Sequence, residues 1–161
     1  MTDFVPQEGV QKEVVLEDDE PTCVRAMLYY CYDKDYETAF DGGNIAVVDG
    51  NLLLFHIQVY AMADKFMVQG LKSFSFSNFE KSLRSEWHKG KLADAIAFGY
   101  NLPEHDGLSP RQSINELCEE NIAELVNLPD FSRALKEVPE LSAFLLPVSY
   151  THLTLPTKRI V

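Results

Sequence analysis

The stretch HIQVYAMADKFMVQGLK, residues 56–72, decides the fold because it reads as two helices that meet at a corner. Its apolar residues recur at the three- and four-residue spacing of one helix face. Counting Phe55, which lies just before the stretch, the apolar residues before the corner are Phe55, Val59, Met62, Ala63 and Phe66. Those after the corner are Val68 and Leu71. Asp64 and Lys65 interrupt the pattern at the corner itself. We therefore predict helices over residues 52–66 and 68–83, an arrangement typical of interaction domains rather than of reaction centres.

This stretch resembles the paired fourth and fifth core helices of the BTB/POZ domain, in the form common among fungal BTB proteins. The residues that match the sequence motif of that family position by position are Tyr60, Ala63, Asp64, Lys65 and Phe66. Two further segments agree in order, since residues 14–36 resemble the third core strand and third helix, and residues 86–145 resemble the helical extension that follows the domain.

The resemblance implies a mainly α fold with an α+β remnant: a BTB/POZ-like helical cluster with one or two short strands, followed by a small helical extension. It divides the chain into a partial BTB/POZ domain at residues 1–84, the extension at residues 85–146, and a tail at residues 147–161. A complete BTB domain opens with strands and a helical hairpin, for which too few residues precede the first predicted strand. We therefore expect a C-terminal portion of the domain whose front half is missing, and a truncated, inactive gene product is the alternative.

The tail, PVSYTHLTLPTKRIV, differs in character from the rest of the chain. It carries no acidic residue and shows no helical period. It resembles the translated adaptor or cloning-vector sequences that sometimes end conceptual translations. We expect it to be unstructured and non-native.

Short strands are predicted at residues 14–16 and 45–48, and the first helix is predicted to start at Pro21. Acidic side chains at residues 17–20 supply the negative charge that favours a helix N-terminus. The predicted buried stripe of this helix is Val24, Met27, Leu28 and Cys31.

Four more helices are predicted in the second half of the chain, at residues 91–100, 110–126, 129–137 and 139–146. Proline opens the last three. An N–H group at the first helical position has no acceptor within the helix, so the proline, which lacks one, is tolerated there.

The charge of the chain is −11, and residues 1–44 contribute 11 acidic against 3 basic side chains. Such a field repels phosphate backbones, so we expect no nucleic-acid partner and a basic protein surface instead. No apolar run reaches the roughly 20 residues of a membrane span, and no signal peptide is visible. The expected protein is soluble and intracellular, in the cytoplasm or the nucleus, with no membrane partner.

Metal and catalytic patterns are weak throughout. The acidic loop DKDYE, residues 33–37, begins like a calcium loop but lacks the glycine and glutamate that such loops need. The cysteines form no metal-binding pair and are expected to be small buried residues, and His56 is expected to be a hydrogen-bonded structural histidine. We predict no enzyme activity, no cofactor and no metal; the lesser alternative is a small helical enzyme or metal-binding protein.

The resemblance implies a non-enzymatic protein–protein interaction module that self-associates or recruits partners, as a substrate adaptor for a cullin ubiquitin ligase or as a regulatory scaffold. In the adaptor subset of the family, the cullin surface corresponds to residues 32–40 and 68–79. Exposed tyrosines beside acids suit a protein interface, although tyrosines that cover the core are the alternative. The candidate protein-binding residues are Tyr32, Asp33, Asp35, Tyr36 and Phe40.

Overall fold

A computed structural model describes residues 16–41, 47, 50–104 and 107–154, with the side chains of residues 40, 41 and 148–154 left undescribed. Its α-helices are α1 (Pro21–Asp33), α2 (Thr38–Asp41), α3 (Leu52–Lys65), α4 (Gln69–Glu86), α5 (Leu92–Asn101), α6 (Pro110–Leu125), α7 (Pro129–Glu137) and α8 (Pro139–Thr154). The described ranges contain no strand, and the predicted mainly α class is confirmed. The strands predicted at residues 14–16 and 45–48 lie almost wholly outside these ranges.

Local chemistry sets the ends of the helices. Pro21 occupies the first turn of α1, as predicted, and Lys34 ends the helix in a left-handed conformation (φ 60°) while its N–H donates to the Tyr30 carbonyl. The side chain of Asn51 accepts the Leu54 N–H at 3.1 Å and so caps α3.

The corner between α3 and α4 is a tight C-terminal cap. The Val68 N–H donates to the Ala63 carbonyl at 2.8 Å, and the Met67 N–H donates to the Asp64 carbonyl at 3.1 Å. This is the hydrogen-bond pattern of a Schellman motif, with Met67 in the left-handed position at φ 56°. The predicted helix pair is thus confirmed, and its corner ends α3 within one residue of the expected place.

Two ion pairs use the polar residues of the corner. The Lys65 ammonium lies 2.8 Å from a carboxylate oxygen of Asp19, just before α1, and the Lys72 ammonium lies 2.6 Å from one of Asp64. Lys65 therefore ties the start of α1 to the end of α3, and Asp64 ties the end of α3 to the first turn of α4.

Two apolar clusters hold the helices together. The smaller one packs α1 and the loop after it against α3 and α4, and its buried members are Cys23, Ala26, Tyr36, Ala39, Phe55, Val59, Met62, Ala63 and Leu71. The larger one packs α5 to α8 against the same two helices, through Leu53 and Ile57 of α3 and Phe79 and Leu83 of α4. The boundary predicted between residues 84 and 85 falls inside α4, and the larger cluster contains residues from both sides of it.

The predicted buried stripe of α1 is right for Val24 and Met27, which are half-buried and pack on the smaller cluster, and wrong for Leu28 and Cys31. Leu28 is 50% exposed and Cys31 is exposed, whereas Cys23 and Ala26 are buried. The two registers differ by a rotation of about 100° around the helix axis. The small side chains on the observed face let α1 lie close to α3.

The second half of the chain forms the four predicted helices. The last one continues to Thr154 and includes Pro147 within it, so the prediction of an unstructured tail is wrong for the backbone of residues 147–154. Residues 155–161 lie outside the described ranges.

Candidate protein-interaction surface

The structure separates the predicted interface residues into two groups. Tyr32 is 86% exposed and Asp33 is exposed, while Asp35 is half-buried. Tyr36 is completely buried, so its prediction as an interface residue is wrong. The side chain of Phe40 lies outside the described part of the structure.

Tyr36 is buried because it completes a polar network inside the smaller cluster. Its hydroxyl lies 2.9 Å from Nδ1 of His56, and the Asn78 amide donates to that hydroxyl at 3.5 Å. With Asn78 as donor, the hydroxyl hydrogen is free to point at His56. The Phe55 and Phe74 rings meet the Tyr36 ring edge-on. Tyr36 therefore anchors the loop after α1 to both helices of the corner.

The predicted structural role of His56 is confirmed by this network. The side chain is buried, and burial lowers the pKa of the imidazole to about 4, with the positive charge of Lys81 acting in the same direction. The ring is therefore neutral near pH 7, which leaves Nδ1 able to accept the Tyr36 hydrogen bond.

An exposed apolar face with an acidic edge remains on the C-terminal half of α1. Leu28 and Tyr32 are four residues apart and therefore neighbours on the helix surface. Cys31 lies beside them and Asp33 follows directly, and all four are exposed. We call these four residues the α1 surface patch. Sequence analysis did not identify Leu28 and Cys31 as surface residues, because it predicted both on the buried face of α1.

The loop after α1 extends the acidic edge. Residues 33–37 carry three carboxylates and one ammonium, that of Lys34. A carboxylate oxygen of Asp35 accepts the Glu37 N–H at 2.7 Å, which holds the loop in a turn. The Lys34 ammonium lies 5.4 Å from the centre of the Tyr30 ring. The net charge of the edge is therefore negative, and its one cation, the Lys34 ammonium, lies near the Tyr30 ring.

The two segments that the resemblance assigns to a cullin surface are neighbours in space. Tyr36, in the first segment, meets Phe74, in the second, with ring centres 5.2 Å apart. A Cβ added to Gly70 would come within 2.6 Å of the Tyr30 hydroxyl. The absence of a side chain at residue 70 thus leaves room for the Tyr30 hydroxyl beside the first turn of α4.

The three cysteines differ sharply in accessibility. Cys23 and Cys118 are buried, as predicted, and burial raises the pKa of each thiol to about 12. Cys31 is exposed, which corrects its prediction as a buried residue. Only Cys31 therefore presents a thiol to solvent in the described part of the chain.

In the part of the chain that the structure describes, no group of three or more His, Cys, Asp or Glu side chains is placed to hold a metal ion. None of the helices described here combines the length and the apolar character that crossing a membrane requires.

Comparison of this chain with protein-family models, with curated proteins and with solved structures finds no match.

Proposed function

We propose that this chain is a non-enzymatic protein-interaction module of the BTB/POZ type, and that it recruits a partner through the α1 surface patch. The observation that carries the proposal is the 86% exposure of Tyr32 beside the half-exposed Leu28. A large aromatic residue next to an aliphatic one, with charged residues at the edge, is the composition of an interface anchor with its rim.

The charge of the patch narrows the class of partner. Asp33 is exposed on its edge, and Glu37 is exposed in the loop that follows. A complementary surface would place Lys or Arg side chains around an apolar centre, because like charges at an interface rim are repulsive. The resemblance adds two roles for such a module: a substrate adaptor for a cullin ubiquitin ligase and a regulatory scaffold. The contact between Tyr36, in the loop after α1, and Phe74 of α4 supports the first, since it joins the two segments that the resemblance assigns to cullin binding.

Removing the apolar centre of the patch should weaken recruitment while leaving the fold intact. We expect Leu28→Ser with Tyr32→Ser to weaken the capture of a specific partner from a lysate of the source organism by about tenfold or more, as loss of an interface anchor does. Quantitative mass spectrometry of proteins retained by the immobilised chain measures this. A purified cullin, tested separately for direct binding, distinguishes the adaptor role from the scaffold role.

Val126→Ser is the matched control, because Val126 is also exposed but lies after α6, away from α1. This control should retain the partner. Equal retention of every captured protein by the double variant and by the control would contradict the proposal. Tyr36→Ala is unsuitable as a test, because the buried Tyr36 supports the fold.

A further inference from the structure

A second concave surface follows the outer side of α3. Two adjoining concavities of about 310 and 200 Å³ share Glu20 and Gln58 among their lining residues. Together they form the surface that we call the α3 groove. Its floor is formed by residues of α3, and its other lining residues include acids that precede α1 and Phe98 of α5.

The floor of the α3 groove has the spacing of a helix–helix seam. Leu54, Gln58, Ala61 and Lys65 line it, at intervals of four, three and four residues. This alternation places side chains in a row where a second helix packs lengthwise. The first three are half-buried, and the small side chain of Ala61 near the middle leaves room for a close approach. From Leu54 to Lys65 the seam is about 17 Å long, most of the 14-residue helix α3.

The wall of the groove is acidic. Asp18, Asp19 and Glu20 line it, and of these three Asp19 alone forms an ion pair within the described residues, with Lys65 at 2.8 Å. Asp18 and Glu20 are exposed and make no ion pair with any residue of the described ranges. The groove thus combines a partly apolar floor with two exposed carboxylates along one side.

We propose that the α3 groove binds an amphipathic helix of a partner protein. Apolar side chains of that helix pack on Leu54 and Ala61, and its Lys or Arg side chains pair with Asp18 and Glu20. This binding is independent of the α1 surface patch and would give the module a second attachment point.

Charge argues against two other occupants of the groove. Residues 1–15 contain three acids and one base, so their net charge does not complement the acidic wall. A second copy of the chain brings its own charge of −11 to the same wall. A basic helix from a different protein is complementary to the α3 groove in both shape and charge.

The test uses a synthetic helical peptide as the probe. A fluorescein-labelled peptide of roughly three heptads carries Leu and Ala on the seam and Lys beside it, and a second peptide has Glu in place of every Lys. Fluorescence anisotropy measures their binding to the wild-type chain and its variants. We expect the Lys peptide to bind, the Glu peptide not to bind, and Ala61→Arg to abolish binding because it places a bulky cation on the floor.

A matched pair of variants distinguishes specific pairing with the acidic wall from general attraction between a basic peptide and an acidic protein. Glu20 lines both concavities, whereas Glu17 is exposed in the same acidic run and lines neither. Glu20→Gln should weaken binding about threefold, as loss of an exposed ion pair does, and Glu17→Gln should leave it unchanged. Thermal unfolding of each variant by circular dichroism confirms that the fold is retained.

Several results would overturn the proposal. These are failure of the Lys peptide to bind the wild-type chain, equal binding to the Ala61→Arg variant, and equal weakening by Glu17→Gln and Glu20→Gln. A dimer in sedimentation velocity that Ala61→Arg dissociates would assign the groove to self-association instead. The Leu28→Ser, Tyr32→Ser variant should bind the peptide normally, so failure at the α1 surface patch and failure at the groove are distinguishable.

Discussion

Phe79→Ala is expected to destabilise the protein by about 3–5 kcal/mol, the cost of removing a fully buried aromatic ring and leaving a cavity. Phe79 is completely buried in the larger cluster, on the helix that also supplies Leu71 to the smaller cluster. Because α3 and α4 serve both clusters, we expect the two to unfold together. This loss is a large share of the 5–15 kcal/mol that holds an ordinary domain folded.

Pulsed alkylation in urea measures both clusters in one experiment. Cys23 is buried in the smaller cluster and Cys118 in the larger, so each thiol becomes reactive when its own cluster opens. Both midpoints should coincide in the wild type and should fall together in Phe79→Ala. Phe66→Ala, at the partly exposed corner, is the control and should cost no more than about 1 kcal/mol. A shift confined to Cys118 would show that the clusters unfold separately.

Acidification should destabilise the protein through His56. The pKa of the imidazole is lowered to about 4 in the folded chain, below its ordinary value of 6.5, so the unfolded chain binds the proton more readily. The stability that this group contributes is fully present above about pH 6.5 and is lost as the pH falls toward 4. The shift corresponds to about 3 kcal/mol between pH 7 and pH 4.

Urea unfolding at a series of pH values, for the wild type and for His56→Asn, isolates this effect. The carboxylates titrate in both proteins, so the difference between the two pH profiles reports the histidine. His56→Asn should be less stable at pH 7, yet it should lose less stability on acidification. His88→Asn removes an exposed histidine and is the control for the loss of an imidazole as such. Parallel profiles for all three proteins would contradict a buried neutral His56.

The elements that sequence predicted well have local causes. The start of α1 follows from Pro21, and the later helices follow from prolines at their first positions and from the apolar period between them. The corner between α3 and α4 follows from an interruption of that period. Such signals depend on residues within one or two turns of each other, so a single sequence carries them.

The errors have long-range causes. Residues 23, 26, 27 and 30 have the same helical spacing as the predicted stripe of 24, 27, 28 and 31, so periodicity alone could not choose the buried face of α1. Contacts with α3 and α4 decide it, through Ala26 and through Tyr30 against Phe74. Tyr36 finds its hydrogen-bond partners 20 and 42 residues along the chain, which a local pattern does not reveal.

The accessibility of Cys31 provides the most direct measurement of the central claim, that a partner binds on the α1 surface patch. In the free native protein, Cys31 should react rapidly with a maleimide while the buried Cys23 and Cys118 stay unmodified. In the complex with the captured partner, a partner seated on Leu28 and Tyr32 should shield the neighbouring thiol. We predict that the labelling rate of Cys31, measured by mass spectrometry, falls strongly on complex formation. A rate for Cys31 in the complex equal to that in the free protein would contradict the claim.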